Sequence, residues 1–133
     1  MMKKQMLYAV CFALLPMTGK ADAVDTLLQS YRQAGAGEFS AAQGEQRWHQ
    51  QNPSKKNGEA RACDLCHGQD LTLPGKHATT NKTIEAMAPS ANAKRFTDEA
   101  KIEKWFKRNC KWTLGRECTP QEKGDFLVFL RQQ

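Results

Sequence analysis

The sequence predicts an all-α fold, and three observations support this prediction. Apolar residues recur at helical spacing in several segments, capping residues mark helix starts, and no segment alternates as a strand would. The chain has 133 residues, which is one domain by size. An all-α chain this short builds only a marginal core, so we expect it to depend on something more than its own apolar side chains.

The first 23 residues have the organisation of a secretory signal peptide. Two lysines open the segment, an apolar stretch follows at residues 6–17, and small residues offer a cleavage site at 21–23. A transmembrane span needs about 20 apolar residues, and Pro16 interrupts this stretch too early. We therefore predict a signal peptide at 1–23 and an exported domain at 24–133, with no stable membrane insertion after cleavage. An uncleaved anchor is the alternative.

Two helices are predicted in the N-terminal half of the exported domain. Apolar residues recur at helical spacing in residues 24–34, and glycines follow. Ser40 is a candidate cap for a second helix, which carries Gly44 and Trp48 four residues apart. Because a glycine lets two backbones approach, we expect this helix to cross the last helix at Gly44, with Phe129 packed there. An ordinary amphipathic pair would pack similarly without needing Gly44.

Two further helices are predicted to close the chain. Thr97 or Asp98 would cap the first of them. Thr119 and Pro120 open the second, with proline at the first helical position and a glutamate three residues after the threonine. We expect this last helix to bring four apolar side chains to the core, namely Phe126, Leu127, Phe129 and Leu130.

Residues 63–67 read Cys-Asp-Leu-Cys-His, a C-x-x-C-H run. The two thiols can each add across one haem vinyl group, while the adjacent imidazole ligates the iron, and one helical turn carries all three groups. In an exported chain the run predicts one covalent haem c, held by Cys63, Cys66 and His67. A haem-free thiol redox or metal module is the alternative. Polar loops are predicted on both sides of the motif, at residues 51–58 and 71–83.

Removal of the signal peptide would leave four cysteines. Besides the motif pair, Cys110 and Cys118 lie close together in the sequence, and in an oxidising compartment a disulfide is the simplest interpretation. Closing so short a loop contributes about 2–3 kcal/mol on the chain-entropy model. A zinc site using all four thiols would need a second C-x-x-C knuckle, which this pair does not supply.

Residues 94–116 concentrate positive charge in a chain whose formal net charge is +6. Eight basic residues stand there against three acidic ones. Such a segment is either a solvated helix face or a docking surface for an acidic partner. Nucleic acid is not an expected partner, because the chain is predicted to be exported and shows no platform of alternating aromatic and basic residues.

Four side chains are candidates for the second axial position of the haem iron, opposite His67. A thioether is the usual choice in small electron-transfer cytochromes, which favours Met87, but this residue lies before the penultimate helix. His49 and His77 are more typical of surface or pocket histidines. Asn109 is the fourth candidate.

Asn109 extends an apolar pattern on the penultimate helix. Ile102, Trp105 and Phe106 stand at i, i+3 and i+4, and Asn109 is at i+7. We therefore expect Asn109 to point toward the core and the three apolar residues to shape a pocket around it. A disulfide at the neighbouring Cys110 would hold it in place. An asparagine facing water at a frayed helix end is the alternative.

Several stretches resemble the sphaeroides haem protein family of c-type cytochromes. They are Ala88-Pro89-Ser90-Ala91-Asn92, Arg95-Phe96-Thr97-Asp98, Glu103-Lys104-Trp105, Arg108-Asn109-Cys110 and Gly115-Arg116-Glu117-Cys118-Thr119-Pro120. With the C-x-x-C-H run, the resemblance covers essentially the whole exported domain. It implies a class I cytochrome c-like helical fold around one covalent haem.

The same resemblance implies the site. The distal ligand would be Asn109, the asparagine before the first disulfide cysteine, and the disulfide would join Cys110 to Cys118. The resemblance also implies that this ligand would be lost on reduction, that oxygen or nitric oxide would then bind, and that a dihaem cytochrome c would supply electrons. An amide oxygen is a hard donor that suits ferric better than ferrous iron, in agreement with that role. Met87 stands where the family commonly has leucine.

We therefore predict a periplasmic monohaem cytochrome c with His67/Asn109 ligation that opens on reduction to bind a diatomic ligand. Its electrons would come from a dihaem cytochrome c or another redox partner. The sequence leaves open whether the site also reduces oxygen or dioxygenates nitric oxide. A plain His/Met electron-transfer cytochrome using Met87 is the alternative.

Overall fold

The computed structural model describes residues 22–133, so nearly all of the predicted signal peptide lies outside the described residues and stays a prediction. The described helices are α1 (Ala23–Gln33), α2 (Ala41–His49), α3 (Asp64–His67), α4 (Glu99–Leu114) and α5 (Pro120–Leu130). The described strands are β1 (Asn52–Pro53), β2 (Ala60–Arg61), β3 (Gly75–Lys76) and β4 (Thr83–Ile84). Helices dominate, which confirms the predicted all-α class.

Helix α1 lies where the apolar spacing predicts it. The side chain of Asp22 caps the helix by accepting a 2.8 Å hydrogen bond from the backbone N–H of Asp25. The apolar face of α1 packs with Ile102 of α4 and Leu127 of α5 in one of two core clusters. The residues of α1 in this cluster are Val24, Leu27, Leu28 and Tyr31.

The crossing of α2 and α5 at Gly44 is confirmed. A Cβ placed on Gly44 would overlap the backbone carbonyl of Asp125 and lie 2.8 Å from the Cβ of Phe129. Only glycine therefore permits this approach. One turn later, the ring of Trp48 lies 6.3 Å from Phe126 and 6.2 Å from Phe129, centroid to centroid. Trp48 thus fills the second core cluster, next to the crossing.

A buried carboxylate holds the same two helices together at their polar edge. Asp125 is 1% exposed. It accepts hydrogen bonds from the backbone N–H of Ser40 at 2.8 Å, from Nη1 of Arg47 at 2.6 Å and from Nε2 of Gln121 at 3.0 Å. Because these bonds satisfy a buried charge, Asp125 orients the start of α2 against α5.

The two segments predicted as polar loops contain short antiparallel hairpins instead. β1 pairs with β2, and β3 pairs with β4, with two residues in each strand. A two-residue strand carries no periodic pattern, which is why the sequence does not predict it. Gly75 of β3 packs against the backbone of the C-x-x-C-H motif, where a Cβ would overlap the carbonyl of Cys66 and lie 2.9 Å from the Cα of His67.

Helix α4 is capped by Asp98, whose side chain accepts a 2.9 Å bond from the backbone N–H of Lys101. The structure contains the predicted disulfide between Cys110 and Cys118, with a Cα–Cα distance of 5.6 Å. It ties the last turns of α4 to the segment that precedes α5. The same bond leaves only two free thiols in residues 22–133, so a four-thiol zinc site is excluded there. None of the helices in this range is both long and apolar enough to cross a membrane.

Replacing Gly44 with alanine should destabilise the protein by about 3 kcal/mol, because the methyl group forces α2 away from α5. Gly37→Ala is the matched control, since a Cβ there has its nearest neighbour 3.6 Å away, at Oε1 of Gln121. Urea unfolding of the haem-loaded variants measures both. Equal stability of the two variants would mean that the crossing does not need a glycine.

The start of α5 predicts a pH dependence. Thr119 and Glu122 form the predicted capping box, and Arg116 donates to both carboxylate oxygens of Glu122, at 2.7 and 2.8 Å. The Arg116 hydrogen bonds lower the pKa of Glu122 to about 2, with help from the Thr119 backbone. A depressed pKa contributes stability that is complete above the usual glutamate value and is lost as the pH falls toward 2.

Glu122→Gln keeps the capping geometry and removes the charge. It should cost about 1 kcal/mol at pH 7, because solvent screens the exposed arginine, and less at pH 3. Urea unfolding at the two pH values tests this, with Glu117→Gln as the control for a more exposed carboxylate. A cost that does not change between pH 7 and pH 3 would contradict the assigned pKa.

Candidate haem site

The C-x-x-C-H motif forms α3 and its cap. Cys63 precedes the helix, and the backbone N–H of His67 donates to its carbonyl at 3.1 Å, closing one turn. Gly68, at φ 77°, ends the helix immediately after the histidine. Cys63 and Cys66 are both free and partly buried. A single turn therefore presents two thiols and an imidazole, as predicted from their spacing.

Trp48 of α2 connects this turn to the core. Its ring centroid lies 5.3 Å from that of His67, and its carbonyl accepts a 3.2 Å hydrogen bond from the backbone N–H of Cys63. Within residues 22–133, Nε1 of Trp48 and Nδ1 of His67 are buried without a hydrogen-bond partner. Buried polar atoms are normally satisfied, so two unpaired ones side by side mark this place as a site rather than ordinary core.

Burial sets the protonation of the motif. It lowers the pKa of His67 to about 4, and the positive charge of Arg95 adds to this effect. The imidazole is therefore neutral near pH 7, which is the form that ligates a metal. Burial, with the charges of Asp64 and Cys66, raises the pKa of the Cys63 thiol to about 12, so this thiol stays protonated. A protonated thiol does not act as a redox nucleophile, which argues against a thiol redox module.

The two other histidines have local partners. Nδ1 of His49 lies 2.9 Å from Oδ2 of Asp64, inside the motif. His77 lies beyond β3, and its Nδ1 accepts bonds from the backbone N–H groups of Thr79 and Thr80, at 3.2 Å each. Both contacts agree with the prediction that these are pocket or surface histidines.

The apolar stripe of α4 is divided between two faces. Ile102 is 8% exposed and packs with α1 and α5, while Phe106 is partly buried, with its ring 6.2 Å from that of Phe126. Trp105 is 43% exposed and Asn109 is exposed as well. Asn109 is therefore not packed among the side chains of the core clusters, and its predicted place in a pocket stays a prediction. Ile102 lies in the core cluster that α1 shares with α5, and its predicted role in a pocket around Asn109 stays a prediction.

Helix geometry separates Asn109 from Ile102 by only a small angle. Seven residues turn through about 700°, which falls 20° short of two full turns, so Asn109 is displaced from Ile102 toward the side of Trp105. Trp105 and Asn109 are four residues apart and share one face. An indole and an amide at the surface of a helix form a face that a flat apolar group would cover.

Met87 lies in a well-held loop between β4 and α4. It is partly buried and packs against the core cluster that contains Trp48 and Cys110. The backbone N–H of Ala88 donates to the carbonyl of Leu71 at 2.9 Å, and Nε of Arg95 donates to the carbonyl of Ala86 at 2.8 Å. Met87 is therefore a packed side chain, against the same cluster to which α4 contributes Cys110.

These residues fit a haem c. The donor set consists of two free thiols and a neutral imidazole on one turn, with an indole beside the imidazole and an apolar cluster behind it. A turn of this kind, with helices packed around it, defines a c-type cytochrome with a class I-like fold.

A family model described as "Domain of unknown function (DUF1924)" matches residues 34–130, and the chain belongs to this family. It also belongs with the sphaeroides haem proteins, as its sequence predicts. It is 50% identical over 72 residues to the cytochrome c-type protein SHP of Cereibacter sphaeroides, across 54% of this chain and 55% of that protein. The structure of oxidised SHP, an oxygen-binding cytochrome c, matches with a TM-score of 0.75 at 37% identity, over 84% of this chain and 98% of that chain.

A second relative is cytochrome c'' of Methylophilus methylotrophus. It is 40% identical over 74 residues, across 56% of this chain and 51% of that protein. Its solution structure, described as giving insights into haem-ligand detachment, matches with a TM-score of 0.71 at 30% identity. The match covers 83% of this chain and 93% of that chain. In these sequence matches the chain spans about half the length of the curated relatives. The family confirms haem c as the cofactor.

Sequence reasoning missed two contributors to the site. Trp48 was predicted for the helix crossing, but its contact with His67 was not, because 19 positions of chain separate them and only the fold brings them together. Arg95 stands out in the sequence only as part of a basic segment and of a stretch that resembles the family. Its charge acts on His67, while its side chain holds the Met87 loop.

The double variant Cys63→Ser/Cys66→Ser should lose covalent haem, because no other free thiols lie within residues 22–133. Haem staining of a denaturing gel after co-expression with the maturation machinery measures this. The control is Cys110→Ser/Cys118→Ser, which should keep the stain but lose about 2–3 kcal/mol of stability. Covalent haem in the first variant would refute the attachment assignment.

Proposed function

We propose that this chain is a periplasmic monohaem cytochrome c that binds a small diatomic ligand, such as oxygen or nitric oxide, after reduction. Cys63 and Cys66 would attach the haem, His67 would be the proximal ligand, and Asn109 would be the distal ligand in the ferric state. Haem c supplies one-electron redox chemistry and an axial position where a small ligand can bind.

The single observation that carries the proposal is the position of Asn109 on α4. Its amide is at the surface next to the exposed indole of Trp105, on the face not used by the core. Its neighbour Cys110 is buried and bonded to Cys118, and the preceding turn is anchored in the core by Phe106. The backbone at Asn109 is thus held while its side chain remains available.

The chemistry of the amide accounts for the redox dependence. Its oxygen is a hard, weak donor that suits ferric iron and holds ferrous iron poorly. Since α4 is held at both ends, by the Asp98 cap and by the Cys110–Cys118 disulfide, Asn109 can release its hold through side-chain rotation without unfolding the helix. His67, whose imidazole is neutral near pH 7, would remain as the proximal ligand.

The relatives support this class of function. SHP is an oxygen-binding cytochrome c, and haem-ligand detachment is studied in cytochrome c''. The predicted signal peptide supports export to the periplasm, and the family resemblance supports a dihaem cytochrome c as electron donor.

A plain electron carrier with His67 and Met87 as ligands is the second candidate. The observation in its favour is that Met87 packs against the same cluster as Trp48 and Cys110. A thioether stays bound to ferrous iron and would keep carbon monoxide out, so the two functions give opposite results in a simple test.

Optical spectra separate the two functions. The ferric, ferrous and carbon-monoxide-treated ferrous spectra are recorded for the wild type, Asn109→Ala and Met87→Leu, each reduced chemically. We expect the wild type to bind carbon monoxide when reduced, Asn109→Ala to change the ferric spectrum, and Met87→Leu to leave all three spectra unchanged. A ferric spectrum altered only by Met87→Leu, with no carbon monoxide bound by the wild type, would establish the electron carrier instead.

A further inference from the structure

The positive charge of residues 94–116 is only partly neutralised within the described chain. Three of its eight cations have partners. Arg95 donates to the carbonyls of Glu85 and Ala86, Lys111 lies 3.5 Å from Glu117, and Arg116 pairs with Glu122 at 2.7 Å. These three cations therefore serve the fold.

Four of the remaining cations lie on α4, and we call them the α4 cations. They are Lys101, Lys104, Lys107 and Arg108, all exposed. No carboxylate of residues 22–133 forms a salt bridge with any of them. Glu103, the carboxylate within their span, is held by Lys123 of α5 at 2.7 Å and by the hydroxyl of Tyr31. Asp98 is occupied as the helix cap. The charge of the α4 cations is therefore available to a partner.

The α4 cations occupy one side of the helix. At about 100° per residue, they span an arc of roughly 120°. The core-facing residues Ile102 and Cys110 lie on the other side. Trp105 and Asn109 lie between the two arcs, with Trp105 about 40° from Lys101 and Asn109 about 20° from Ile102. The guanidinium of Arg108 lies 5.0 Å from the centroid of the Trp105 ring, so the cationic arc directly borders the face that carries Asn109.

This position fits an electron donor. Opposite charges raise the rate of encounter between two proteins and orient them before contact. A donor seated on the arc would lie against the same helix that carries Asn109, the proposed distal ligand. We propose that the α4 cations form the docking surface for an acidic redox protein, which delivers the electron that opens the site. The proposal rests on the function proposed above.

The test compares two triple variants that change the net charge by the same amount. Lys101→Glu/Lys104→Glu/Lys107→Glu reverses the surface. Lys56→Glu/Lys76→Glu/Lys82→Glu reverses three exposed lysines outside α4 and is the matched control. Haem-loaded ferric protein is mixed in a stopped-flow instrument with two reductants, flavodoxin hydroquinone as an acidic protein and lumiflavin semiquinone as a small neutral donor.

At low ionic strength, the α4 variant should be reduced by flavodoxin about tenfold more slowly than the wild type, while the control variant stays closer to the wild type. Lumiflavin semiquinone should reduce all three proteins at similar rates. Added salt should slow flavodoxin with the wild type and have little effect with the α4 variant. The salt dependence of the wild type needs no substitution, so it remains informative if a variant folds poorly.

Three results would overturn the proposal. They are a wild-type rate with flavodoxin that is insensitive to salt, an equal loss of rate in the control variant, and binding to phosphatidylglycerol vesicles lost in the α4 variant while its flavodoxin rate is unchanged. The last result would assign the surface to a membrane. Ligation is read separately from the carbon monoxide spectra. A wild type that refuses carbon monoxide but shows the charge-dependent rate would refute the proposed ligand chemistry and leave the docking surface intact.

Discussion

The close contact between α2 and α5 at Gly44 is the constraint on which the rest of the structure depends. Because the two backbones touch there, Trp48 is placed one turn further on, between Phe126 and Phe129 and against the imidazole of His67. The buried carboxylate of Asp125 fixes the same pair of helices at their polar edge. A short motif helix such as α3 cannot position itself, since a single turn has no stability of its own. It takes its place from this helix pair.

The two candidate ligands are supported in different ways. His67 stands on a short turn wedged against the core, where burial keeps its imidazole neutral and ready to ligate. Asn109 stands on the surface of a long helix that is capped at one end and bonded by a disulfide near the other. The proposed function needs both properties, a fixed proximal ligand and a distal side chain that can turn away. The unpaired cations on the same helix would bring the source of electrons to that side.

Local signals in the sequence predicted local structure well. The Ser40, Asp98 and Thr119 caps are where the spacing places them, because a cap depends on a few neighbouring residues. The disulfide, the C-x-x-C-H turn and the family membership were predicted for the same reason, since each is written in short runs of sequence. The two hairpins were missed, because strands of two residues have no pattern to detect.

The sequence by itself therefore determined the helices, the haem c cofactor and the pair of bonded cysteines, all of which follow from residue types at short spacing. Only the tertiary structure decided which face of α4 is buried. Apolar spacing gives the direction of a side chain only to within about 100°, the rotation between consecutive residues of a helix. That decision placed Ile102 in the core and left Trp105 and Asn109 outside it. The contact of Trp48 with His67 was also decided there, since it joins residues that only the packing of α2 on α5 brings together.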